Sequence, residues 1–398
     1  MTSLPPPPIS MSLGSKEEMK MKKQIISIAS IVLGGIILLA GCQKDGTTSK
    51  AGSLVKFTAG LKPAATRTAY SGEIVNNFER INWVEGENIV IWSDGAVDRN
   101  NTSANYASYA ISSPQTFGVK SNASLNSLTD GNGLIWVEGV ETYKFWGSSP
   151  AISGTPVAGK ASFTIPAAQQ MKSGATAATA TEGAGDAAVT TVTLPADMSN
   201  AWMFACVEGV KSGSENVQLD FYPAFTAFEV TLTADSDYDG DITVSKVELI
   251  SESPLAGTVA ATLVPGTRKN DVTNGTETKT HDIGASTYVC TPATGNLTYT
   301  LPADTKVNKT SSVTFTVFAL PQNIAGLKLK FYVKVDGEET TFTGTLSKGG
   351  EPITFGACEK HRIKGVAVPG NLWKIFYAPG IIEADQWVEV DGGSIILE

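Results

Sequence analysis

Cysteine and histidine are scarce in this sequence. The chain of 398 residues contains four cysteines and two histidines, and no cysteines are arranged as C-x-x-C. Three cysteines follow Cys42, and an odd number cannot close completely into disulfides. The histidines lie far apart, so neither a metal-site spacing nor a Cys/His catalytic arrangement is present. We therefore predict no metal site and expect buried or idle side chains at Cys206, Cys290, Cys358, His281 and His361.

Motifs that bind cofactors or carry out catalysis are also missing. The sequence has no Gly-rich phosphate loop, no Gly-x-Ser-x-Gly nucleophile elbow and no convincing acid and base pair. Scattered carboxylates on an acidic surface are expected to be solvated. The sequence therefore predicts a protein that is not an enzyme and needs no cofactor. A secreted hydrolase with an unrecognised site is the weakest alternative.

The N-terminal region has the pattern of a lipoprotein leader. A lysine-rich stretch precedes the apolar run Ile25–Leu39, and the residues Leu-Ala-Gly stand directly before Cys42. Such a leader is removed from the mature protein, and bacterial lipoproteins receive a diacylglyceryl group on this cysteine. A membrane-spanning helix is disfavoured because the run is shorter than the roughly 20 residues that a bilayer requires. We predict lipidation of Cys42, removal of residues 1–41 as a signal peptide, and a true start at Met19 or Met21.

Negative charge dominates the mature sequence. The whole chain has 30 lysines and arginines against 39 aspartates and glutamates, a formal charge of −9. Removal of residues 1–41 takes away four lysines and two glutamates and makes the charge −11. Nucleic acids and anionic lipid headgroups would be repelled, so we predict no nucleic-acid partner. Attachment to the outer membrane is expected through several acyl chains on Cys42, because a single chain holds only marginally.

Helical periodicity is almost absent, and short β-rich runs alternate with turn residues along the mature chain. In one run, Phe228, Val230 and Leu232 alternate with Ala227 and Glu229 as two faces of a strand. Many short strands of this kind indicate antiparallel sandwiches rather than βαβ units. The clearest runs are Leu54–Phe57, Glu87–Trp92, Thr142–Trp146, Ala201–Val207, Val217–Phe221, Phe225–Leu232, Ser312–Leu320 and Leu327–Lys334.

The mature length of about 350 residues exceeds one ordinary core, so two domains are expected. Polar turn residues at Lys211–Glu215 favour a boundary there. We predict a lipidated tether at 42–53, an N-terminal β-sandwich at 54–214 and a C-terminal β-sandwich with a terminal strand pair at 215–398. Small residues of little hydrophobic bulk at Ser173–Val189 predict a mobile surface loop.

One acidic segment matches the first half of a calcium loop. Asp235–Asp241 places carboxylates at alternate positions, and Gly240 would permit the sharp turn. The twelfth position, however, is Lys246 rather than the bidentate glutamate of such loops, and the flanks have the pattern of strands. We favour an acidic hairpin turn without a metal, and calcium binding is the alternative.

Seven tryptophans are available for stacking on sugar rings. Most lie inside strand runs, where packing between sheets accounts for them. Core packing is therefore favoured over a carbohydrate platform, although core and surface aromatics look alike in sequence. The seven are Trp83, Trp92, Trp136, Trp146, Trp202, Trp373 and Trp387.

Several segments, taken in order, resemble fimbrillin-type proteins of Bacteroides-like bacteria, the lipoprotein precursors of type V pili and related surface adhesins. The likeness spans nearly the whole mature chain, and its most telling segment is Ile81–Ser93, with Asn-Trp-Val-Glu-Gly-Glu and Ile-Trp-Ser. Cys42–Asp45 is similar to the signal that directs lipoproteins of these bacteria to the outer face. The other matching segments are Leu39–Cys42, Phe57–Ala59, Thr66–Thr68, Ile165–Gln170, Phe221–Phe228, Phe355–Gly370 and Trp387.

The resemblance implies two tandem transthyretin-like Greek-key β-sandwiches in a precursor exported as a lipoprotein. Pilus subunits of this kind are cut by a trypsin- or arginine-type protease in the loop after the first strand. The groove left by that strand then receives a donor strand from another subunit. Arg67 is the matching arginine, so that cleavage leaves Thr68 as the first residue. Lys62, before Pro63, is a poor alternative.

The C-terminal tail is a candidate donor strand. Gln386–Val390 and Ser394–Leu397, separated by Asp391–Gly393, have the pattern of a hairpin-like end with little need to stay in its own core. An ordinary last hairpin is the alternative, and the sequence does not choose between them. The donor candidates are Trp387, Val388, Val390, Ile395, Ile396 and Leu397.

The sequence thus predicts a non-enzymatic fimbrial subunit or cell-surface adhesin. Its expected partners are other pilus subunits and the outer membrane, with a host glycan or protein as the candidate adhesion target. The alternative is a surface lipoprotein that captures glycans through exposed tryptophans and does not polymerise. Stalk, anchor, tip and stand-alone adhesin are all compatible with the sequence.

Overall fold

The structure is a computed structural model, and every element described lies in one unit, Lys50–Glu398. The residues that it describes are 51–61, 70–75, 78–81, 83–117, 120–183, 188–234, 240–274, 276–335, 337–348, 351–368, 372–378, 380–383, 386–389 and 393–397. Across these residues the chain forms 34 strands, with one turn of 3-10 helix at Met198–Asn200.

The first fifteen strands are β1 Phe57–Leu61, β2 Tyr70–Val75, β3 Phe78–Ile81, β4 Asn88–Ser93, β5 Val97–Asp98, β6 Tyr106–Phe117, β7 Lys120–Ser127, β8 Leu134–Ile135, β9 Thr142–Ser149, β10 Lys160–Ile165, β11 Ala168–Gln170, β12 Ala178–Glu182, β13 Val189–Thr193, β14 Met203–Lys211 and β15 Val217–Pro223.

The remaining strands are β16 Thr226–Ala234, β17 Ile242–Ile250, β18 Gly257–Thr262, β19 Thr267–Asn274, β20 Glu277–Gly284, β21 Thr287–Pro292, β22 Leu297–Thr300, β23 Lys306–Val307, β24 Ser311–Ala319, β25 Ile324–Ala325, β26 Lys328–Val335, β27 Glu338–Lys348, β28 Glu351–Pro352, β29 Thr354–Phe355, β30 Lys360–Val368, β31 Leu372–Ala378, β32 Gly380–Glu383, β33 Gln386–Glu389 and β34 Gly393–Leu397.

Seven strands close into a barrel in the order β1-β15-β14-β9-β4-β6-β7. Alternate side chains of these strands point into one apolar core, because successive residues of a strand face opposite sides of a sheet. Aromatic rings fill much of it, and Phe145 has Phe57 5.2 Å and Trp136 6.0 Å from its ring centroid, both edge to face. The three-stranded sheet β10-β18-β21 adds Phe163 and Val259 to the same core.

A larger sheet runs in the order β11-β22-β17-β26-β27-β34-β31-β30-β16-β24-β13-β12. It encloses a second apolar core, to which β16 contributes Phe228, Val230 and Leu232. The opposite face of β16 carries Ala227, and that of β24 carries Phe318, both in the barrel core. Both strands therefore contribute to both cores, although polar residues share the face with Ala227 in β16 and with Phe318 in β24, namely Glu229, Thr314 and Thr316.

The all-β class predicted from the sequence is confirmed, and seven of the eight clearest runs coincide with strands to within a few residues. The first run is displaced, because β1 begins at Phe57. Leu54 instead forms an isolated bridge with Ile135, and Val55 N–H donates to the Leu134 carbonyl. In the part of the chain that the structure describes, no helix has the length and hydropathy needed to cross a membrane.

The segment predicted as a loop and the predicted domain boundary can both be compared with the strands. Part of the segment Ser173–Val189 is not a loop, because Ala178–Glu182 forms β12 and pairs with β13 at the edge of the large sheet. All five residues of β12 are exposed, which explains why the segment lacks hydrophobic bulk. The division into domains at 214 and 215 stays a prediction, and the barrel contains strands from both sides of it, since β14 pairs with β15.

Candidate functional site

The candidate site is the slot that β1 occupies in the barrel. One edge of β1 pairs in parallel with β15, in a register from Phe57 opposite Val217 to Leu61 opposite Phe221. Its other edge pairs antiparallel with β7, where Phe57 lies opposite Leu125. β1 is therefore the strand that joins β7 to β15 and completes the ring of hydrogen-bonded strands.

The inward side chains of β1 are buried. Phe57 is 2%, Ala59 0% and Leu61 6% exposed, and Val55, just before the strand, is 4% exposed. The Phe57 ring packs edge to face on Tyr109 and Phe145, with centroids 5.3 and 5.2 Å away. Burial of a large apolar side chain stabilises a fold by roughly 1.5–3 kcal/mol. The strand is thus held by its side chains as well as by its backbone.

Trp83 adds a polar contact to the same strand. Its indole Nε1–H donates to the carbonyl oxygen of Ala59, at 3.1 Å, and its ring packs edge to face on Phe221 of β15. A tight turn follows, in which Gly86 has a φ of +85° and Glu87 N–H donates to the Val84 carbonyl. The segment Ile81–Ser93 therefore supports the slot, a role that sequence reasoning missed because nothing local links Trp83 to Ala59.

Polar side chains cover the outer face of β1. Thr58 Oγ1 donates to Gln218 Oε1 at 2.6 Å, and Asn216 Nδ2 donates to Thr58 Oγ1 at 2.8 Å. A Cβ on Gly60 would lie 2.5 Å from Gln218 Nε2 and 2.6 Å from Asp220 Oδ1, so a larger residue would displace this polar layer. The slot thus accepts apolar residues on its inner face and small or polar residues on its outer face.

The β1 slot could bind a strand from another chain, and this binding would need no catalytic group. If β1 leaves, β7 and β15 each expose an edge of unpaired backbone N–H and C=O groups above an apolar floor. Such an edge is a template for an added strand, with hydrogen bonds to both neighbours and pockets for alternate side chains. A break in the chain between Leu61 and Tyr70, the residues that end β1 and begin β2, would free β1 from the rest of the barrel.

The predicted cleavage and lipidation residues cannot be placed. Arg67 and Thr68 lie between β1 and β2 and, like Cys42, fall outside the described residues. They stay predictions.

The predicted donor tail does not form a hairpin with itself. β33, with Trp387 and Val388, pairs with β32, while β34 inserts between β27 and β31. In β34, Ile395 lies opposite Leu346. Because β34 joins two parts of the large sheet, the predicted pairing of β33 with β34 is wrong. Whether Trp387, Val388, Ile395, Ile396 and Leu397 donate a strand stays a prediction, and Val390 lies outside the described residues.

Only the end of the acidic segment Asp235–Asp241 is described, namely Gly240 and Asp241. Asp241 Oδ1 accepts from Asn308 Nδ2 at 3.0 Å and Oδ2 from Lys306 Nζ at 3.1 Å, and these contacts lower the pKa of the Asp241 carboxyl. The Lys246 ammonium lies 3.1 Å from Glu248 Oε1. Both oxygens of Asp241 are therefore engaged by protein donors.

We expect that removal of calcium has little effect on stability. Asp241 already has protein partners, and Lys246 takes the place of the ligand that closes a calcium loop. Thermal unfolding of the full mature chain, followed by circular dichroism in calcium and in excess chelator, should give nearly the same Tm. A Tm that rises strongly with calcium would contradict this interpretation.

Cysteine and histidine side chains are largely inside the protein. Cys358 and His361 are buried, and Cys206 and Cys290 are partly buried, as expected. Burial raises the pKa of the Cys206 and Cys358 thiols to about 12. These thiols are protonated at neutral pH, which makes them poor nucleophiles. The side chain of His281 lies outside the described residues.

The prediction that the tryptophans pack in the core is confirmed for four of them. Trp83, Trp92, Trp136 and Trp146 are at most 5% exposed. Trp202 is partly buried against Phe163, with ring centroids 5.4 Å apart. The side chains of Trp373 and Trp387 lie outside the described residues.

Comparisons with known proteins give structural neighbours of low identity. No protein-family profile matches the chain. No curated protein matches it. A candidate cell adhesion protein of Bacteroides ovatus is 16% identical with a TM-score of 0.43, over 85% of this chain and 99% of the other. A second, from Bacteroides uniformis, is 14% identical with a TM-score of 0.44, over 81% and 95%.

A third neighbour is the tip fimbrial protein Mfa3 of Porphyromonas gingivalis with a C-terminal truncation. It is 8% identical, with a TM-score of 0.34 over 83% of this chain and 99% of the other. The structural neighbours are thus of the class that the sequence resembles.

Proposed function

We propose that this protein is a non-enzymatic fimbrial subunit or cell-surface adhesin, exported as a lipoprotein and assembled by donor-strand exchange. The observation that carries the proposal is the position of β1. This short strand closes a barrel between β7 and β15, and it is followed at once by the segment that contains Arg67. Cleavage after Arg67 would cut the chain between β1 and the rest of the barrel.

The energetics of the slot suit such an exchange. A strand with buried residues at Val55, Phe57, Ala59 and Leu61 does not leave without a replacement, because its removal exposes the apolar floor. A donor strand restores the same ladder and fills the same pockets, so that exchange proceeds with little net loss. The uncut strand blocks premature association, since an open edge above an apolar groove is an association hazard.

The experiment that tests this function is N-terminal sequencing of the protein recovered from the cell surface, combined with electron microscopy of the same preparation. We expect filaments that contain the chain, with Thr68 as its first residue. A chain in filaments that still begins at lipidated Cys42 would reject the exchange at Arg67. Absence of filaments, with the chain uncut, would reject polymerisation.

Lipidation is expected to depend on Cys42 alone. Cys42→Ala removes the only thiol that follows Leu-Ala-Gly, so the variant should incorporate no fatty acid and remain an uncut or soluble precursor. Metabolic labelling with a fatty acid, followed by gel electrophoresis, measures this directly. Cys290→Ala is the control and should label like the wild type. Continued labelling of the Cys42 variant would contradict the anchor.

A further inference from the structure

A lysine-rich surface lies on the large sheet, far in sequence from the β1 slot. Along β26, Leu329, Phe331 and Val333 point into the core, and the alternate residues point outward. Lys246 of β17 lies opposite Tyr332 in the register and adds a fourth lysine. We call this surface the lysine face; it consists of Lys246, Lys328, Lys330, Tyr332 and Lys334.

Ammonium groups outnumber carboxylates on the lysine face, where Glu248 lies opposite Lys330 and Glu339 lies opposite Lys334. In the described part of the chain, its only ion pair joins Lys246 to Glu248, at 3.1 Å. The mature protein is strongly acidic, so a concentration of ammonium groups on two adjacent strands is a local reversal of sign. Residues two apart on a strand are separated by about 7 Å, so Lys328, Lys330 and Lys334 form a row of about 20 Å. A row of this kind attracts a chain of negative charges.

Tyr332 fixes the centre of this face. Lys246 Nζ lies 3.7 Å from the ring centroid and Lys330 Nζ lies 5.0 Å from it, both within the range of a cation–π contact. The Tyr332 hydroxyl donates to Glu248 Oε1 at 3.0 Å. Two of the ammonium groups are therefore held in place over the ring, which reduces the entropy lost when they bind a ligand.

A cleft opens beside this face where the ladder between β17 and β26 is irregular. The register shifts between Val244 and Lys246, which leaves Ser245 as an extra, bulged residue. Bulges locally disrupt pairing and redirect side chains, and they occur next to functional sites. The cleft has a volume of about 290 Å³, and its polar lining includes Thr243, Ser245, Tyr332, Lys334, Glu339 and Thr341.

We propose that this cleft and the adjoining lysine face bind an acidic saccharide, a sugar chain that carries carboxylate or sulfate groups. Hydroxyl side chains of Thr243, Ser245 and Thr341 both donate and accept, and Glu339 accepts, which suits the hydroxyl groups of a sugar. Lys330 and Lys334 supply charge-assisted hydrogen bonds to the acidic groups. A concave, mostly preformed site with a few convergent polar groups is typical of small-ligand binding.

Two other ligands fit less well. A neutral sugar would leave the excess positive charge of the lysine face without a counter-charge. A single-stranded nucleic acid stacks its bases on exposed aromatic faces, whereas the Tyr332 ring is covered by lysines. The proposal names the ligand of the adhesin proposed above and rests on that role.

The test is binding of the full mature chain to an oligogalacturonate, measured by isothermal titration calorimetry at low and at physiological salt. We expect binding that weakens as salt rises, and no binding of the neutral galacto-oligosaccharide of equal length. Lys330→Gln with Lys334→Gln should weaken binding about tenfold, because two charge-assisted contacts to the acidic groups are lost together. Thr341→Val should also weaken it without any change in net charge.

The matched control is Lys160→Gln with Lys172→Gln, which removes the same charge from other parts of the surface and should leave binding unchanged. Polyglutamate and single-stranded DNA serve as polyanions without sugar hydroxyl chemistry of this kind. Equal affinity for them, or equal loss in the control variant, would overturn the proposal, as would absence of oligogalacturonate binding. Filament assembly by the unsubstituted chain is measured separately, so that normal filaments without oligogalacturonate binding reject the saccharide site and leave the proposed function standing.

Discussion

Arg67→Ala is expected to abolish assembly and leave a stable, lipidated monomer. If a neighbour's strand replaces β1, as proposed above, cleavage after Arg67 has to come first, because β1 is otherwise attached through the segment that follows Leu61. Without cleavage, β1 keeps its pairing with β15 and β7, and Phe57 and Leu61 stay buried. A donor strand from a neighbour then meets an occupied slot.

The stability of the variant should match or exceed that of the cut form. In the cut form β1 is held only by non-covalent contacts, so its buried side chains, each of which contributes roughly 1.5–3 kcal/mol, no longer stabilise the chain as part of one molecule. In an uncut chain β1 is covalently attached, so its side chains stay buried at every protein concentration. Urea denaturation of the purified Arg67→Ala monomer, compared with protein cut in vitro, measures this difference.

The assembly itself is read from a gel of surface protein prepared without boiling. Wild type should give a ladder of polymers and Arg67→Ala a single band. Lys62→Ala is the matched control, since Lys62 precedes Pro63 in the same segment and is a poor protease site. Ladders of equal intensity for Arg67→Ala and wild type would show that Arg67 is an ordinary loop residue.

Local alternation was sufficient to predict most strands. The predicted run Leu327–Lys334 differs from β26 by one residue at each end, because apolar residues at every second position bury one face of a strand. The burial of Trp92 and Trp146 also follows from their place inside strand runs. These features depend on the nearest residues in sequence, and a single sequence contains that information.

Pairing between distant strands was not predictable in the same way. The parallel register of β1 with β15 joins residues about 160 positions apart, such as Phe57 and Val217, and no local pattern encodes it. The bond from Trp83 to Ala59 depends on that register. The bulge at Ser245 likewise appears only when β17 and β26 are aligned. The candidate site therefore emerged from topology rather than from a motif.

A cluster of charged residues was missed for the same reason. Glu229 of β16 lies opposite Arg362 of the parallel strand β30, and its Oε1 accepts from Arg362 Nε at 2.7 Å. Glu229 Oε2 forms an ion pair with Lys360, whose side chain is 1% exposed. In sequence, Glu229 is an ordinary acid in an alternating strand, and the two cations lie more than a hundred residues away.

Glu229→Gln is expected to destabilise the fold by about 3 kcal/mol at neutral pH. The substitution removes the carboxylate that the buried Lys360 ammonium contacts, and the loss of one partner of a buried ion pair typically costs about 3–5 kcal/mol. Urea denaturation of the full mature chain measures the loss. Glu208→Gln, which removes one side of the exposed pair with Lys144, is the control and should change stability little.

The double variant separates charge from packing. Lys360→Met added to Glu229→Gln replaces the buried ammonium by an apolar side chain of similar length, so the double variant should be more stable than Glu229→Gln alone. A double variant that loses at least as much stability would mean that the glutamate acts by packing. Equal effects of Glu229→Gln and Glu208→Gln would contradict the importance of burial.

The pH dependence of the free energy of unfolding is a second test of the contacts between Glu229, Lys360 and Arg362. Burial raises the pKa of Glu229, but the charges and hydrogen bonds of Lys360 and Arg362 outweigh it, so that the pKa lies below its usual value of 4.5. A carboxyl with a lowered pKa in the folded state stabilises the fold above its unfolded pKa and loses that effect as the pH falls through the folded value. The difference in free energy of unfolding between wild type and Glu229→Gln should therefore be full above about pH 5 and shrink as the pH falls further below 4.5, because a protonated Glu229 resembles glutamine. A difference that stays constant down to acid pH would show that Glu229 acts without its charge.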